Sequence, residues 1–362
     1  MKNIFLIIYL VFLLLCYSLY SQKSDKIPII VDTFIFIKAP FPSCHAATIA
    51  EVENGLVAAW FGGTHERHPD VGIWVSRFYD NKWSTPVEVA NGIINDTLRY
   101  PCWNPVLFKI SDGELILFYK IGPKPSEWKG FLKRSYDNGI SWTDAEVIPN
   151  NFYGPIKNKP LILNDSILIL PSSTENDGWK IQFEISDVYA KNWKSKIVVK
   201  SKNINAIQPT IFNHGNNKLQ AICRTRNRYL AETWSYDGGR SWTELKLISL
   251  PSTNSGIDGI TLQNGMHLLV YNHVFPEKGK NKGPRTPLNI AISKDGKKWY
   301  ASLVLENNTE GQYSYPAVIQ SADGMVHIVY TWKRERIKYV KIDPSKLEMH
   351  PIKNKKWPMN LK

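Results

Sequence analysis

An all-β fold, a six-bladed β-propeller of four-stranded antiparallel blades, is what this sequence predicts, and three observations carry the prediction. A unit of one polar residue, a small residue or Pro, an apolar strand, a turn and a second apolar strand recurs roughly every 50–60 residues from His45 onwards. Turn pairs separate the apolar runs at Asn54-Gly55, Asp112-Gly113, Asn264-Gly265 and Asp323-Gly324, where a hairpin needs positive φ. The composition, with 22 Gly, 22 Pro and 13 Trp against 5 Met, suits short strands and tight turns rather than a helical bundle. Radial repetition protects the sheet edges of such a chain. A β-sandwich is the alternative, but it does not require six matched periods. A seventh blade would need the residues before Ala39 to form a cryptic one.

The elements follow in chain order. Met1-Lys2-Asn3 precedes an almost unbroken apolar run of 12 residues from Ile4 to Leu15, the length of a signal-peptide core and too short for a membrane span. Residues 1–21 are therefore expected to be a signal peptide, and the protein to be exported to the periplasm, the medium or the outer surface. Cys16 after Leu13-Leu14-Leu15 offers the alternative of a lipid-bearing cysteine. The chain near Pro28 to Ile37 is expected to close the ring against the last blade, making 28–345 one propeller domain. First strands open at Cys44-His45-Ala46-Ala47, Trp103-Asn104-Pro105, Asn158-Lys159-Pro160, Ile207-Gln208-Pro209, Ile257-Asp258-Gly259 and Ser314-Tyr315-Pro316. Second strands fall at 56–61, 115–120, 167–171, 219–224, 267–272 and 326–331. Third strands run into Ser135-Tyr136-Asp137-Asn138-Gly139-Ile140-Ser141-Trp142 and Ser235-Tyr236-Asp237-Gly238-Gly239-Arg240-Ser241-Trp242, with weaker copies ending at Trp83, Trp193 and Trp299. Residues 346–362 are basic and Pro-containing and read as a surface extension.

Lys and Arg number 45 against 32 Asp and Glu, a formal charge of +13 that suits an anionic partner. The positive charge is scattered and no recognition helix is evident, so nucleic acid is not the expected partner. Four Cys without paired short spacing exclude a small disulfide scaffold and a Cys-based zinc site. Cys44, Cys102 and Cys223 sit in apolar stretches, as buried thiols do. No cofactor, no metal and no stable membrane span are expected, and a monomer is.

Antiparallel pairing places the start of each first strand and the end of each second strand on one rim. The polar residues His45, Asn104, Lys159, Gln208, Asp258 and Tyr315 should therefore converge at one mouth of the central channel. Second-strand ends and the loops after them add His65, Glu66, Arg67, His68, Asp70, Lys120, Glu175, Arg224, Arg226, His273, Arg285 and Arg334. A solvated surface charge explains any one of these, but not polar residues at six strand starts facing a crowded axis. Lys157, Lys159, Arg224, Arg226 and Arg285 bias the mouth positive, which matches a carboxylate or sulfate. The Asp-rich turns lie on the opposite face and are turn chemistry.

The Ser-x-Asp-x-Gly-x-x-Trp turns resemble the Asp-box of bacterial neuraminidase repeats. Six such units over nearly the whole chain look like a divergent member of the sialidase (neuraminidase) superfamily, with similarity also to propeller-type polysaccharide lyases. The resemblance implies a carboxylate held by three arginines, a Tyr nucleophile assisted by Glu, and an Asp acid/base. By position Arg224 resembles the second arginine, Arg285 the third, Tyr313 or Tyr315 the nucleophile and Asp70 the acid. Where the family carries Arg-Ile-Pro this chain has Ser43-Cys44-His45-Ala46, and the Glu position is filled by Gln208, which cannot take or lend a proton. Related propellers degrade acidic glycans as ulvan-type lyases, with His and Tyr as base and acid.

The first expectation is therefore a carbohydrate-active enzyme that performs β-elimination at a non-reducing-end uronic acid of an acidic oligosaccharide or polysaccharide, as a lyase or dehydratase. His45, His65 and His273 are the acid/base candidates with Tyr315 as partner. Arg224, Arg285 and Lys159 would hold the carboxylate, Asn104, Gln208 and Asp258 would orient hydroxyls, and Arg334 is a further substrate-binding candidate. A retaining exo-sialidase-like glycoside hydrolase is the alternative, and a glycan-binding propeller without catalysis the second.

Overall fold

The computed structural model describes residues 27–110, 113–359 and 361; the expected signal peptide and Cys16 lie outside them. Strand formation follows the burial each strand must reach. First and second strands are flanked by neighbouring blades on both faces and read as continuous apolar runs, as in Gly55–Gly63 and Leu115–Ile121. Third strands alternate, and outer strands such as Trp193–Val198 face solvent.

Six antiparallel sheets result. Blade 1 comprises Ser43–Val52, Gly55–Gly63 and Gly72–Tyr79, with Lys82–Trp83 and Val87–Ala90 sharing its outer edge. Blade 2 comprises Cys102–Lys109, Leu115–Ile121, Lys129–Ser135 and Glu146–Val147, and blade 3 Leu161–Leu163, Ile167–Thr174, Lys180–Asp187 and Trp193–Val198. Blade 4 comprises Ala206–Asn213, Leu219–Thr225, Tyr229–Ser235 and Lys246–Pro251. Blade 5 comprises Asp258–Thr261, His267–Tyr271, Leu288–Ser293 and Trp299–Glu306, and His350–Pro351 adds a fifth strand to it. Blade 6 comprises Tyr313–Gln320, Val326–Trp332 and Arg336–Ile342, and its outermost strand is Ile29–Phe34, which precedes blade 1 in the sequence. Among the described residues the one helical element is the 3-10 turn Pro344–Lys346.

The core is divided among the gaps between blades. Six apolar clusters each draw on two neighbouring blades, for example blades 3 and 4 through Phe183, Leu219 and Ala231. The Trp that ends each Asp-rich turn reaches back towards the preceding blade. Trp242 stacks on Phe183 at 3.8 Å, Trp299 packs on Phe212, and Trp83 packs edge-on against Tyr339. The turns fix these wedges. Asp137 accepts hydrogen bonds from the Ser135 and Ser141 hydroxyls and the Ile140 and Ser141 N–H groups; burial alone would raise its carboxyl, but these bonds hold it at about 2.

One irregularity positions the site. The first strands of blades 1, 2, 4 and 6 each carry a bulge, with left-handed residues Ala46 (φ 57°), Asn104 (φ 33°), Gln208 (φ 57°) and Tyr315 (φ 54°). Pro follows the last three, and having no N–H it is tolerated where the ladder is interrupted. The register corrects the sequence reading in blade 1. Ala46, not His45, is the counterpart of Asn104, Gln208 and Tyr315, and His45 aligns with Trp103, Ile207 and Ser314. The first strands of blades 3 and 5 are short and regular.

Candidate functional site

The bulges open a cavity of about 420 Å³ at the rim where first strands begin and second strands end. His45, Asn104, Gln208, Tyr315, Arg224, Arg285 and Arg334 line it, so seven of the twelve residues named from sequence meet there. Glu66, Arg67, Glu175 and Arg226 also line it.

Tyr315 stands at the centre. Its hydroxyl accepts a hydrogen bond from Arg224 Nη1 at 2.7 Å, and the Arg224 and Arg285 guanidinium carbons lie 5.4 and 5.6 Å from its ring centroid. Gly256 forms a flat wall behind the ring, since a Cβ there would meet it at 3.0 Å. Lys157, fully buried, crosses the axis to donate to the Pro316 carbonyl and so pins the bulge that presents Tyr315; burial lowers its ammonium to about 7.

His45 packs against Tyr315, with ring centroids 4.1 Å apart. Its Nδ1 hydrogen-bonds the Thr331 hydroxyl at 2.9 Å, and the same oxygen accepts the Ala46 N–H. Nε2 is buried without a partner. Burial first, then Arg334, Arg285, Arg224 and Lys157, drives the imidazole well below its ordinary value, so it is neutral at pH 7. Gln208 Oε1, Arg224 Nε and Asn254 Oδ1 are likewise buried, unpartnered and in the cavity wall. Buried polar atoms are normally satisfied, so four unpaired ones around one space mark a place for a polar ligand.

Both carboxylates in the wall are engaged. Glu66 accepts from Arg334, and Glu175 Oε2 accepts from Trp179 Nε1 at 2.9 Å.

Five of the twelve catalytic and substrate-binding candidates lie elsewhere. Lys159 and Asp258 face each other across the axis at 2.8 Å, because their strands lack the bulge that turns a side chain to the rim. Asp258 also accepts from Thr210 and the Val318 N–H, tying blades 3 to 6 together. His273 is buried behind blade 5 between Tyr271 and the Lys355 carbonyl, with Trp357 on its ring. His65 is exposed on the loop after the second strand and bonds the Glu66 carbonyl. Asp70 is spent within that loop. Burial raises its carboxyl, but the Thr64 N–H and hydroxyl and His68 outweigh this and lower it. Lys120 is buried against the Pro155 carbonyl, and Tyr313 is buried beside Trp332.

Sequence reasoning missed Trp103, Pro125, Trp128, Trp179, Asn254 and Lys282, which complete the wall. A signal existed for the tryptophans: Trp128 and Trp179 sit in or beside loops that carry no Asp-rich turn.

Comparison with known proteins agrees with this architecture. The anhydrosialidase of Macrobdella decora is 24% identical over 262 residues, which are 62% of this chain and 33% of that protein, so the chain spans about a third of the curated relative's length. The NanB sialidase of Streptococcus pneumoniae superimposes with a TM-score of 0.69 at 13% identity, over 89% of this chain and 71% of that one. A protein of unknown function from Dyadobacter fermentans DSM 18053 gives 0.69 at 14% identity, over 87% and 98%. At these identities the superpositions establish the fold. The BNR repeat-like domain model matches residues 54–328, and the chain belongs to that family, as a sialidase-like propeller.

Proposed function

We propose that the protein is a carbohydrate-active enzyme that performs β-elimination at a terminal uronic acid of an acidic oligosaccharide. The observation that carries this reading is the neutral, unpartnered Nε2 of His45 beside Tyr315, within a ring of guanidinium groups and with no uncommitted carboxylate in the wall. The glycan-processing relative supports carbohydrate as the substrate class.

The chemistry follows from the charges. Arg224, Arg285 and Arg334 would neutralise the substrate carboxylate, which lowers the cost of negative charge developing as C5 loses its proton. His45 Nε2 takes that proton, with Nδ1–H donated to Thr331. The electron pair becomes the C4=C5 double bond, and the C4 oxygen leaves with a proton from Tyr315, as a sugar alcohol or as water. Gln208, Asn104 and Asn254 would orient hydroxyls. The test is absorbance in the ultraviolet band of unsaturated uronates, using glucuronate-terminated oligosaccharides. A product heavier by one water and without that band would replace elimination with hydrolysis.

The bond from Arg224 to the Tyr315 oxygen favours a second reading. That bond fixes the direction of the Tyr315 oxygen within the cavity, so Tyr315 could serve as the nucleophile of a sialidase-like hydrolase. Release of a fluorophore from a sialoside, abolished in Tyr315→Phe, would support it.

A further inference from the structure

The wall carries six basic side chains, Arg67, Arg224, Arg226, Lys282, Arg285 and Arg334, against two acidic ones. One carboxylate on the reacting sugar occupies the inner group around Tyr315 and leaves cations over. Arg226 is the best organised of these. Its guanidinium carbon lies 4.0 Å over the Trp179 ring, and Trp179 is fixed in turn by its bond to Glu175. The Arg224 guanidinium lies 5.2 Å from the same ring, so Tyr315, Arg224, Trp179 and Arg226 form one continuous series leading from the centre of the cavity to its exposed rim. Among the described residues Arg226 makes no ion pair; an aromatic face, not a carboxylate, holds it. Stacking leaves the in-plane N–H fork unspent, the geometry that binds two oxygens of a planar or tetrahedral anion. Lys282, also exposed and also lining the cavity, adds positive charge.

We infer that Arg226 on its Trp179 shelf, assisted by Lys282, is a second anion subsite that takes a sulfate ester or second carboxylate on the sugar next to the reacting uronate. The inference rests on the proposed carboxylate site and deepens it: the substrate is doubly anionic, with its charges on adjacent units.

The test compares a glucuronate-terminated disaccharide bearing a sulfate ester on its second sugar with the same disaccharide after desulfation. Calorimetric Kd values and kcat/KM are measured for wild type, Arg226→Gln, Arg226→Lys and Lys282→Gln. The wild type is expected to prefer the sulfated compound by at least about tenfold, the scale of one charge-assisted pair. Arg226→Gln should bring the ratio close to one, Arg226→Lys should leave it in between, and Lys282→Gln should reduce it less. A wild type indifferent to the sulfate, or a preference that survives Arg226→Gln, overturns the subsite. The affinity ratio is readable without turnover, so absence of product tells against elimination and not against the subsite. Failure of both compounds to bind tells against the carboxylate site itself.

Discussion

His45 is the residue on which the proposed elimination turns, and its surroundings set its pH behaviour. Burial and four cations keep the imidazole neutral well below its ordinary value of 6.5, so the base form persists into mildly acidic solution. The acid limb of the kcat/KM profile should therefore lie below pH 6.5; a limb at or above 6.5 assigned to His45 would contradict the environment described. His45→Asn and Tyr315→Phe should each lower kcat by about 10²–10⁴, the range for one proton-transfer group, while the unfolding midpoint shifts little. At this scale the sequence was partly legible. Polar residues at strand starts picked out Asn104, Gln208 and Tyr315, which sit at bulges, and His45, which reaches the cavity wall from the position before its own bulge residue, Ala46. Lys159 and Asp258 occupy the same position in the repeat, yet their strands run regularly and turn them onto each other. Whether a strand bulges depends on its neighbours' packing, which one sequence does not spell out. His273 looked like a rim residue because nothing in the pattern revealed that Lys355 and Trp357 return to cover it.

The strand-and-turn element explains the stability of the ring. The Asp-rich turns at Asp137, Asp237 and Asp295 satisfy their own backbone through one carboxylate and deliver a Trp into the gap beside the preceding blade. Trp299, buried on Phe212 with its Nε1 donating to the Gly296 carbonyl, should cost about 3–5 kcal/mol when replaced by Ala, measured by urea unfolding. Asp137→Ala should cost about 1–3 kcal/mol by stranding several donors, and because the turn lies on the face opposite the cavity, kcat/KM should be unchanged. A fall in kcat/KM at equal folded fraction would show that the two faces are coupled. Turn chemistry is local, so these elements were readable in the sequence; the weaker copy ending at Trp299 keeps the bond from the Ser293 hydroxyl and two backbone N–H bonds through Asp295.

For the molecule as a whole, acid sensitivity follows from buried imidazoles. Burial lowers His267, His273 and His327 to about 4, against 6.5 when unfolded. The unfolded chain binds more protons between those values, so this contribution to stability is complete above pH 6.5 and is lost as the pH falls towards 4. The urea midpoint should decline across that window, and less steeply in His327→Gln. A midpoint independent of pH from 6.5 to 4 would refute the assignment.

The outermost strand of blade 6, Ile29–Phe34, pairs with Arg336–Ile342, and the same sheet presents Tyr315 to the cavity. The first described strand thus closes the blade that presents Tyr315 to the cavity. Trimming the first strand leaves Arg336–Ile342 with a bare hydrogen-bonding edge, and the slackness travels inward, strand by strand, to the residue that must be held most firmly. On the proposed function, loss of activity before loss of the remaining blades is the signature such a seam leaves under limited proteolysis.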